Sequence, residues 1–382
     1  MKIRYGLISA DSHIVLDRDA FHRHMPSKWG SLIPQVREME VNGQRCDRWF
    51  VHDEPAGGWG VVNCPAVMGD RDGDVKVFPQ RWQDVPAKVY DPLERAEALD
   101  EDRVDGEVLF PNDPGRGMFY QWGAEFELAC VQAHNDAEAE WYQASDRFAP
   151  LMILPYLSPI ETLLNEVHRG AKNGHRGITM LGSPNRIARG VAHLADPFWE
   201  PFWQTCEELD LPLHFHESAG AAVRPMPRWD GHGPGAMHTV LTSPTAATVA
   251  QLIPNLVFSG ILARHPNLKW VCAEAGVGWL PYVLEACDYE WERRHLWTEG
   301  ITTRPSESIR SQVYVNFWYE RSGIELRHEV GIDHIMWESD YPHTTSTYPR
   351  SWEFVERTLA GVPEEERTKM LYANAARVYH LD

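Results

Sequence analysis

Short apolar runs alternate with longer amphipathic stretches along most of the chain. Residues 3–10 read as a mostly apolar strand, and comparable runs recur at 107–111, 151–155, 177–181, 211–215, 267–273, 313–316 and 335–337. Runs of this length, bounded by polar residues, suit strands buried on both faces. The stretches between them carry a helical period. Residues 125–145, for example, place Leu128, Val131, Ala137 and Trp141 along one helical face. Asp91 followed by Pro92 marks a helix start, because Asp accepts from free first-turn N–H groups and Pro has no N–H to leave unpaired. Further helices are predicted at 159–172, 197–209, 279–294, 321–330 and from 351 onward, with a short one within 17–29.

Strands that alternate with helices predict a parallel sheet with crossover connections. Eight such units predict a closed (β/α)8 barrel of the TIM type, one domain over residues 1–382. An open doubly wound sheet is the competing arrangement, but no glycine-rich phosphate-binding motif follows any of the strands. Residues 31–90 break the pattern. They are rich in Gly, Pro and Trp, as in the stretch from His52 through Gly60. An irregular stretch of this length is read as an inserted subdomain that covers the barrel mouth. Its aromatic content argues against a solvated, disordered segment.

Composition narrows the picture further. Hydrophobic residues make up 43% and charged residues 24%, a globular balance. The formal charge of −19 repels nucleic acid and anionic membrane surfaces, so neither is expected as a partner. No apolar run is long enough for a bilayer, and the N-terminus lacks a signal-type apolar core, so a cytoplasmic protein is expected. The cysteines, at 46, 64, 130, 206, 272 and 287, form no C-x-x-C pair and are expected to be reduced and mostly buried.

In such a barrel the reacting groups stand at the C-terminal strand ends. The first strand ends in Asp11 and His13, which share a side because residues i and i+2 of a strand do. The fifth ends in His214 and His216, with His216 nearer the mouth. The sixth ends in Glu274, and the eighth in Asp340, with His343 three residues on. Several carboxylates and imidazoles converging on one end would be costly to bury without a counter-charge. A bound divalent metal supplies one. Carboxylates beside imidazoles suit iron or manganese at least as well as zinc, with one or two ions per chain. His238 and His265 are weaker candidates, expected to be structural or at the rim.

The motifs at these ends extend nearly end to end. They include Ala10-Asp11-Ser12-His13, His134-Asn135-Asp136, Asp146-Arg147-Phe148, Leu154-Pro155, and Leu211-Pro212-Leu213 leading to His216. Phe258-Ser259-Gly260, His265-Pro266-Asn267-Leu268-Lys269, Ser339-Asp340-Tyr341-Pro342-His343 and Asn374-Ala375-Ala376-Arg377-Val378-Tyr379 continue the series. In these the chain resembles the amidohydrolase superfamily, in the branch of aminocarboxymuconate semialdehyde decarboxylase and γ-resorcylate decarboxylase. The resemblance implies that Asp11, His13, His216 and Asp340 bind metal. Asp11 is a modest departure, since His or Glu is common there. Glu274 is a larger one, because many decarboxylases of this branch carry histidine at that place. A carboxylate can bridge two metals, whereas a neutral imidazole normally does not. Glu274 is therefore expected both to bind metal and, with Asp340 and His343, to take part in catalysis.

Three functions follow from this reading. The first is metal-assisted hydrolysis or nonoxidative decarboxylation of a small carboxylate-containing substrate, with Asp340 taking a proton in hydrolysis. His22, His24 or His52 would be candidates to bind the substrate carboxylate. The second is oxygen-dependent hydroxylation at a dinuclear iron or iron/manganese site. In length and barrel the chain resembles the hydroxylase of 2-aminoisobutyric acid monooxygenase, and that activity would need a redox partner. The third is a metal-poor structural subunit. A homo-oligomer, or a hetero-oligomer with a homologous subunit, is expected in each case.

Overall fold

The computed structural model describes the whole chain except residues 42, 57–59, 69–77, 116–117, 187–189, 217–238, 240–242, 244 and 382. Among the described residues, eight strands form one parallel sheet in chain order: β1 (Ile8–Ile14), β5 (Gly106–Pro111), β6 (Phe148–Met152), β7 (Gly177–Met180), β8 (Leu213–Phe215), β9 (Trp270–Cys272), β10 (Val313–Phe317) and β11 (Ile335–Trp337). The ring closes where the segment after β11 meets β1. Ser12 bridges Tyr341, His13 N–H donates to the Tyr341 carbonyl at 2.6 Å, and Asp340 N–H donates to the Asp11 carbonyl at 3.0 Å. The fold is the (β/α)8 barrel that the alternating pattern predicts, and each of the eight apolar runs supplies one of its strands.

Two layers of apolar side chains hold it together. Inside the barrel, Ile8, Ala10, Val108, Phe110, Ala149, Leu151, Val271, Ala273 and Met336 pack together. From below they meet the C-terminal helix Asn374–Tyr379, through Ala375, Val378 and Tyr379. Outside it, a second apolar cluster joins the strands to helices such as α3 (Pro92–Asp102), α4 (Ala124–Ala144), α5 (Ile160–Lys172) and α6 (Glu200–Glu208), while α1 (Ala20–His24) packs on α4 and α2 (Pro65–Met68) lies beside the loop after β11. Asp91 caps α3 as expected, its Oδ1 accepting the Leu93 N–H at 2.8 Å and the Glu94 N–H at 3.3 Å. Each fully buried large aliphatic or aromatic side chain in these layers contributes about 1.5–3 kcal/mol.

Two local features differ from the expectation. The first strand does not stop before Asp11 but runs on through His13 to Ile14. Its pairing with β5 shifts between Ser9 and Ser12. In a regular strand Ala10 and Ile14 would share a face, yet Ala10 lies inside the barrel and Ile14 outside it. An extra residue in the ladder, a β-bulge, changes the parity between them. The second difference lies in the insertion. It is not irregular throughout, since β2 (Gln35–Val41), β3 (Gln44–Val51) and β4 (Glu54–Ala56) form an antiparallel sheet. Asn42-Gly43 between two strand-like runs is a hairpin signal, and Gly43 adopts φ +78°, which glycine reaches without strain.

Arg95 of α3 braces the closure of the ring. It is fully buried, donates from Nε to Glu107 Oε2 at 2.8 Å, and donates from both Nη atoms to the His13 carbonyl at 3.4 Å. Its guanidinium also lies 3.7 Å from the centroid of the Tyr341 ring. Removing one partner of a buried pair leaves an uncompensated charge. Arg95→Met is therefore expected to lower unfolding stability by about 3–5 kcal/mol in urea, with much of the loss recovered in Arg95→Met/Glu107→Leu. Equal losses in the single and double variants would show that the pair is not what matters.

Candidate metal centre

The bulge in β1 turns Asp11 and His13 toward one point at the mouth. His216 follows β8 directly, Glu274 stands two residues beyond β9, and Asp340 stands three beyond β11. Glu274 and Asp340 both adopt left-handed backbone conformations, at φ +50° and +55°. That region is strained for residues with a Cβ and recurs at functional sites. Here it reverses the chain just as each strand ends. Glu320 supports the loop after β9, accepting the Val277 N–H at 3.0 Å and the Trp318 N–H at 3.2 Å.

The side chains meet closely. His13 Nε2 lies 3.5 Å from Asp11 Oδ1, 3.4 Å from Asp340 Oδ1 and 3.1 Å from His216 Nε2. His216 Nε2 lies 3.4 Å from Asp11 Oδ2 and 3.2 Å from Glu274 Oε2. All five residues are buried. Ligand atoms about 2.1 Å from one ion, and about 90–110° apart, stand about 3.0–3.4 Å from each other. The observed separations match that spacing to within about 0.1 Å. Two imidazoles and three carboxylates also form a donor set suited to manganese, iron or zinc. By spacing and by chemistry Asp11, His13 and His216 could share one divalent ion, and His13, Asp340 and His343 form a second group that could, while Glu274 borders the first through His216.

Asp340 is fixed on both oxygens. His343 Nδ1 lies 2.9 Å from Oδ1, and the Thr345 hydroxyl donates to Oδ2 in a short contact. Burial alone would raise the Asp340 pKa, but the charges and hydrogen bonds of His343 and His13 hold it well below the usual carboxylate range. Glu338 moves the other way. Burial pushes its pKa well up and the Asp340 charge adds to that, while its Oε2 accepts the Glu274 N–H at 3.1 Å. It keeps its backbone partner whether or not it carries a proton.

A hydroxyl cluster secures the bulge. Ser9 Oγ donates to the Asp11 carbonyl at 2.7 Å and accepts the Ser339 N–H at 2.8 Å, with Ser12 Oγ and Ser339 Oγ each 3.1 Å away. Sequence reading missed the roles of Ser9, a serine between apolar residues with no distinctive signal, and of Ser339, which stands between Glu338 and Asp340. It also missed Glu338, whose position beside Asp340 was visible. Ser9→Ala removes the acceptor of the Ser339 N–H and one of two donors to the Asp11 carbonyl, which keeps the Asp340 N–H, at a cost of about 1–3 kcal/mol. The variant is expected to fold with a lower unfolding midpoint and to bind manganese several-fold more weakly in a metal-competition titration. Unchanged metal affinity would limit Ser9 to a structural part.

The other histidines lie elsewhere. His214 Nδ1 donates to the Ile178 carbonyl at 3.0 Å, and its Nε2 accepts from the Tyr379 hydroxyl at 2.9 Å. Burial lowers its pKa to about 3, and it ties β8 to the C-terminal helix. His265 lies between Glu207 and Glu200, at 3.2 and 3.0 Å, which is a structural place. His24 pairs with Glu140 at 2.9 Å, His52 stacks on Trp122 at 5.4 Å, and His22 is exposed. His238 lies outside the described residues. The cysteines are free and buried, as expected. Among the described residues, no helix is long and apolar enough to cross a membrane.

Comparison with known proteins follows the same lines. The amidohydrolase family model matches residues 21–381. A γ-resorcylate decarboxylase from Rhodococcus jostii (strain RHA1) is 24% identical over 329 residues, covering 79% of this chain and 91% of that protein. The crystal structure of an amidohydrolase from Mycobacterium avium subsp. paratuberculosis K-10 superposes with a TM-score of 0.76 at 19% identity, covering 99% of this chain and 98% of that one. A dihydroxybenzoic acid decarboxylase from Polaromonas sp. JS666, solved with bound manganese and the inhibitor 2-nitroresorcinol, gives 0.61 at 19% identity, with 99% and 98% covered. These comparisons lend no support to the oxygen-dependent hydroxylase reading.

Proposed function

Because this chain belongs to the amidohydrolase family and is an enzyme, we propose that it catalyses metal-dependent, nonoxidative decarboxylation of a small aromatic carboxylate. The observation that carries the proposal is the convergence at the barrel mouth of two groups with ion-sharing separations, Asp11, His13 and His216, and His13, Asp340 and His343, with Glu274 3.2 Å from His216. The decarboxylases among its relatives give the reaction class.

In this reading Asp11, His13, His216 and Asp340 hold the ion, and Glu274 completes the set. The bound ion would supply positive charge to orient an anionic substrate or, for hydrolysis, to acidify a water. The remaining work falls to the protein. Loss of carbon dioxide leaves electrons on a ring carbon, and a proton must be delivered to that carbon. Glu274 stands at the mouth on a backbone pinned by Glu338, so its carboxyl group is placed to carry that proton. His343 and Thr345 keep Asp340 from rotating. The sheet β2–β4 and its flanking segments are proposed to form a wall of the substrate pocket. Trp49 of β3 is buried against Phe21, with centroids 5.9 Å apart, and Ala66 N–H donates to the Pro342 carbonyl at 3.2 Å, next to the Asp340 loop.

Hydrolysis is the second reading, favoured by Glu274 itself. A carboxylate 3.2 Å from His216 is suited to taking a proton from water. The deciding experiment loads metal-free enzyme with manganese, zinc or iron and offers it hydroxybenzoates alongside aromatic esters and lactones. Carbon dioxide release from a hydroxybenzoate supports the first reading. Ester or lactone cleavage without carbon dioxide replaces it with the second. A protein that binds no divalent metal would sink both.

A further inference from the structure

The helix Leu280–Arg294 follows β9 and packs on the barrel through Leu280, Val283, Leu284 and Cys287, all buried. Its opposite side carries Tyr282, Glu285, Tyr289 and Arg293, at steps of three, four and four residues. Such spacing puts all four side chains on one face of an α-helix. Tyr282 is 76% exposed and Tyr289 62%. Two large rings in line, with charged residues beside them, have the composition of a surface that meets protein, where tyrosine and arginine are enriched. The charges on this face are unpaired. Glu285 and Arg293 are exposed, and among the described residues neither has an ion-pair partner. Every other charge of the helix is engaged: Glu290 with Arg294 at 2.5 Å, Asp288 with Arg304 at 2.8 Å, and Glu292 with Arg304.

We propose that this face is a twofold docking surface for a second copy of the chain, with the two helices antiparallel across Tyr289. Glu285 and Arg293 stand four residues to either side of Tyr289, about 6 Å along the axis in each direction. An antiparallel pair centred there sets Glu285 of one copy level with Arg293 of the other, twice. Tyr289 meets its own equivalent, and Tyr282 lies beyond the ion pair at each end. A parallel pair would set Glu285 on Glu285 and Arg293 on Arg293, which repels. A twofold contact uses the same patch on both copies, so the patch must complement itself, and this one does. Overall charge points the same way. Each chain carries −19, so two copies repel at long range and meet best across ground that is locally neutral. With one carboxylate, one guanidinium and two rings this face is neutral, and a strongly basic partner finds no excess negative charge on it. The proposal is independent of the metal-centre reading.

The test is charge reversal with rescue, read by sedimentation velocity of the full-length protein over a dilution series. The parent is expected to self-associate in a twofold step. Glu285→Arg and Arg293→Glu are each expected to weaken that step by about 10–100-fold, since each sets two pairs of like charges level with one another. The double variant Glu285→Arg/Arg293→Glu restores opposite charges and is expected to associate like the parent. An equimolar mixture of the two single variants is expected to form a mixed dimer, because every pair then joins opposite charges. The mixture and the double variant also separate a lost interface from a lost fold, since a misfolded chain is not rescued by either. A parent that stays monomeric at every concentration would overturn the proposal and leave this face to a different protein. So would either single variant associating like the parent, or a mixture or double variant that stays monomeric.

Discussion

Asp340→Asn is expected to abolish stable metal binding, raising the manganese dissociation constant by about 100-fold or more and lowering turnover by about a thousandfold. Changes to groups that merely orient a ligand already cost about 10–100-fold, and Asp340 is read as a ligand itself. The reason is electrostatic. Asp340 is fully buried, and His343 and His13 hold its carboxylate in the charged form that a cation requires. An amide in its place carries no charge. It also turns either a second donor toward His343 Nδ1–H or a donor toward His13. Metal analysis of the purified variant, together with a manganese titration and a circular dichroism spectrum, separates a lost site from a lost fold. Full metal occupancy with unchanged turnover would remove Asp340 from the centre.

The parts of this centre differed in how visible they were in the sequence, for physical reasons. Asp11 and His13 were legible as a pair because strand geometry alone puts them on one side. His216, Glu274 and Asp340 became legible once the apolar runs had been counted into eight strands, since a barrel brings its strand ends to one rim. The bulge was not legible. A period-two pattern carries no mark of one extra residue, and the register shift against β5 and the opposite placement of Ala10 and Ile14 reveal it. The left-handed turn at Glu274 was equally hidden, because glutamate is not a residue that such a φ favours, and at Asp340 aspartate tolerates that φ without calling for it. The 3.3 Å contact between the Asn112 side chain and His343 Nε2 joins residues 231 positions apart, which no local pattern reveals. The Asn42-Gly43 dipeptide is a different case. Its signal was present, but it lay inside a stretch whose Gly and Pro content masked the alternation around it.

Glu274 is where the chemistry can be divided most sharply, because Glu274→Gln and Glu274→His remove different things. Glu274→Gln keeps the shape and removes both the charge and the exchangeable proton. It is expected to lower turnover by about 10²–10⁴-fold, the usual range for a positioned acid–base group. Its effect on manganese affinity is expected to be smaller than that of Asp340→Asn, because Asp11, His13, His216 and Asp340 remain. Glu274→His restores a group that can hold a proton but withdraws the negative charge from beside His216, 3.2 Å away. If the reaction is decarboxylation, the imidazole can still deliver a proton to carbon, and Glu274→His should be clearly more active than Glu274→Gln on the same hydroxybenzoate. If the reaction is hydrolysis driven by a carboxylate base, the two variants should be about equally impaired. Activity ratios measured at matched metal occupancy decide between these outcomes. Turnover in both variants close to that of the parent would show that the proton is handled elsewhere, and the buried Glu338 behind the Glu274 backbone would be the next group to change.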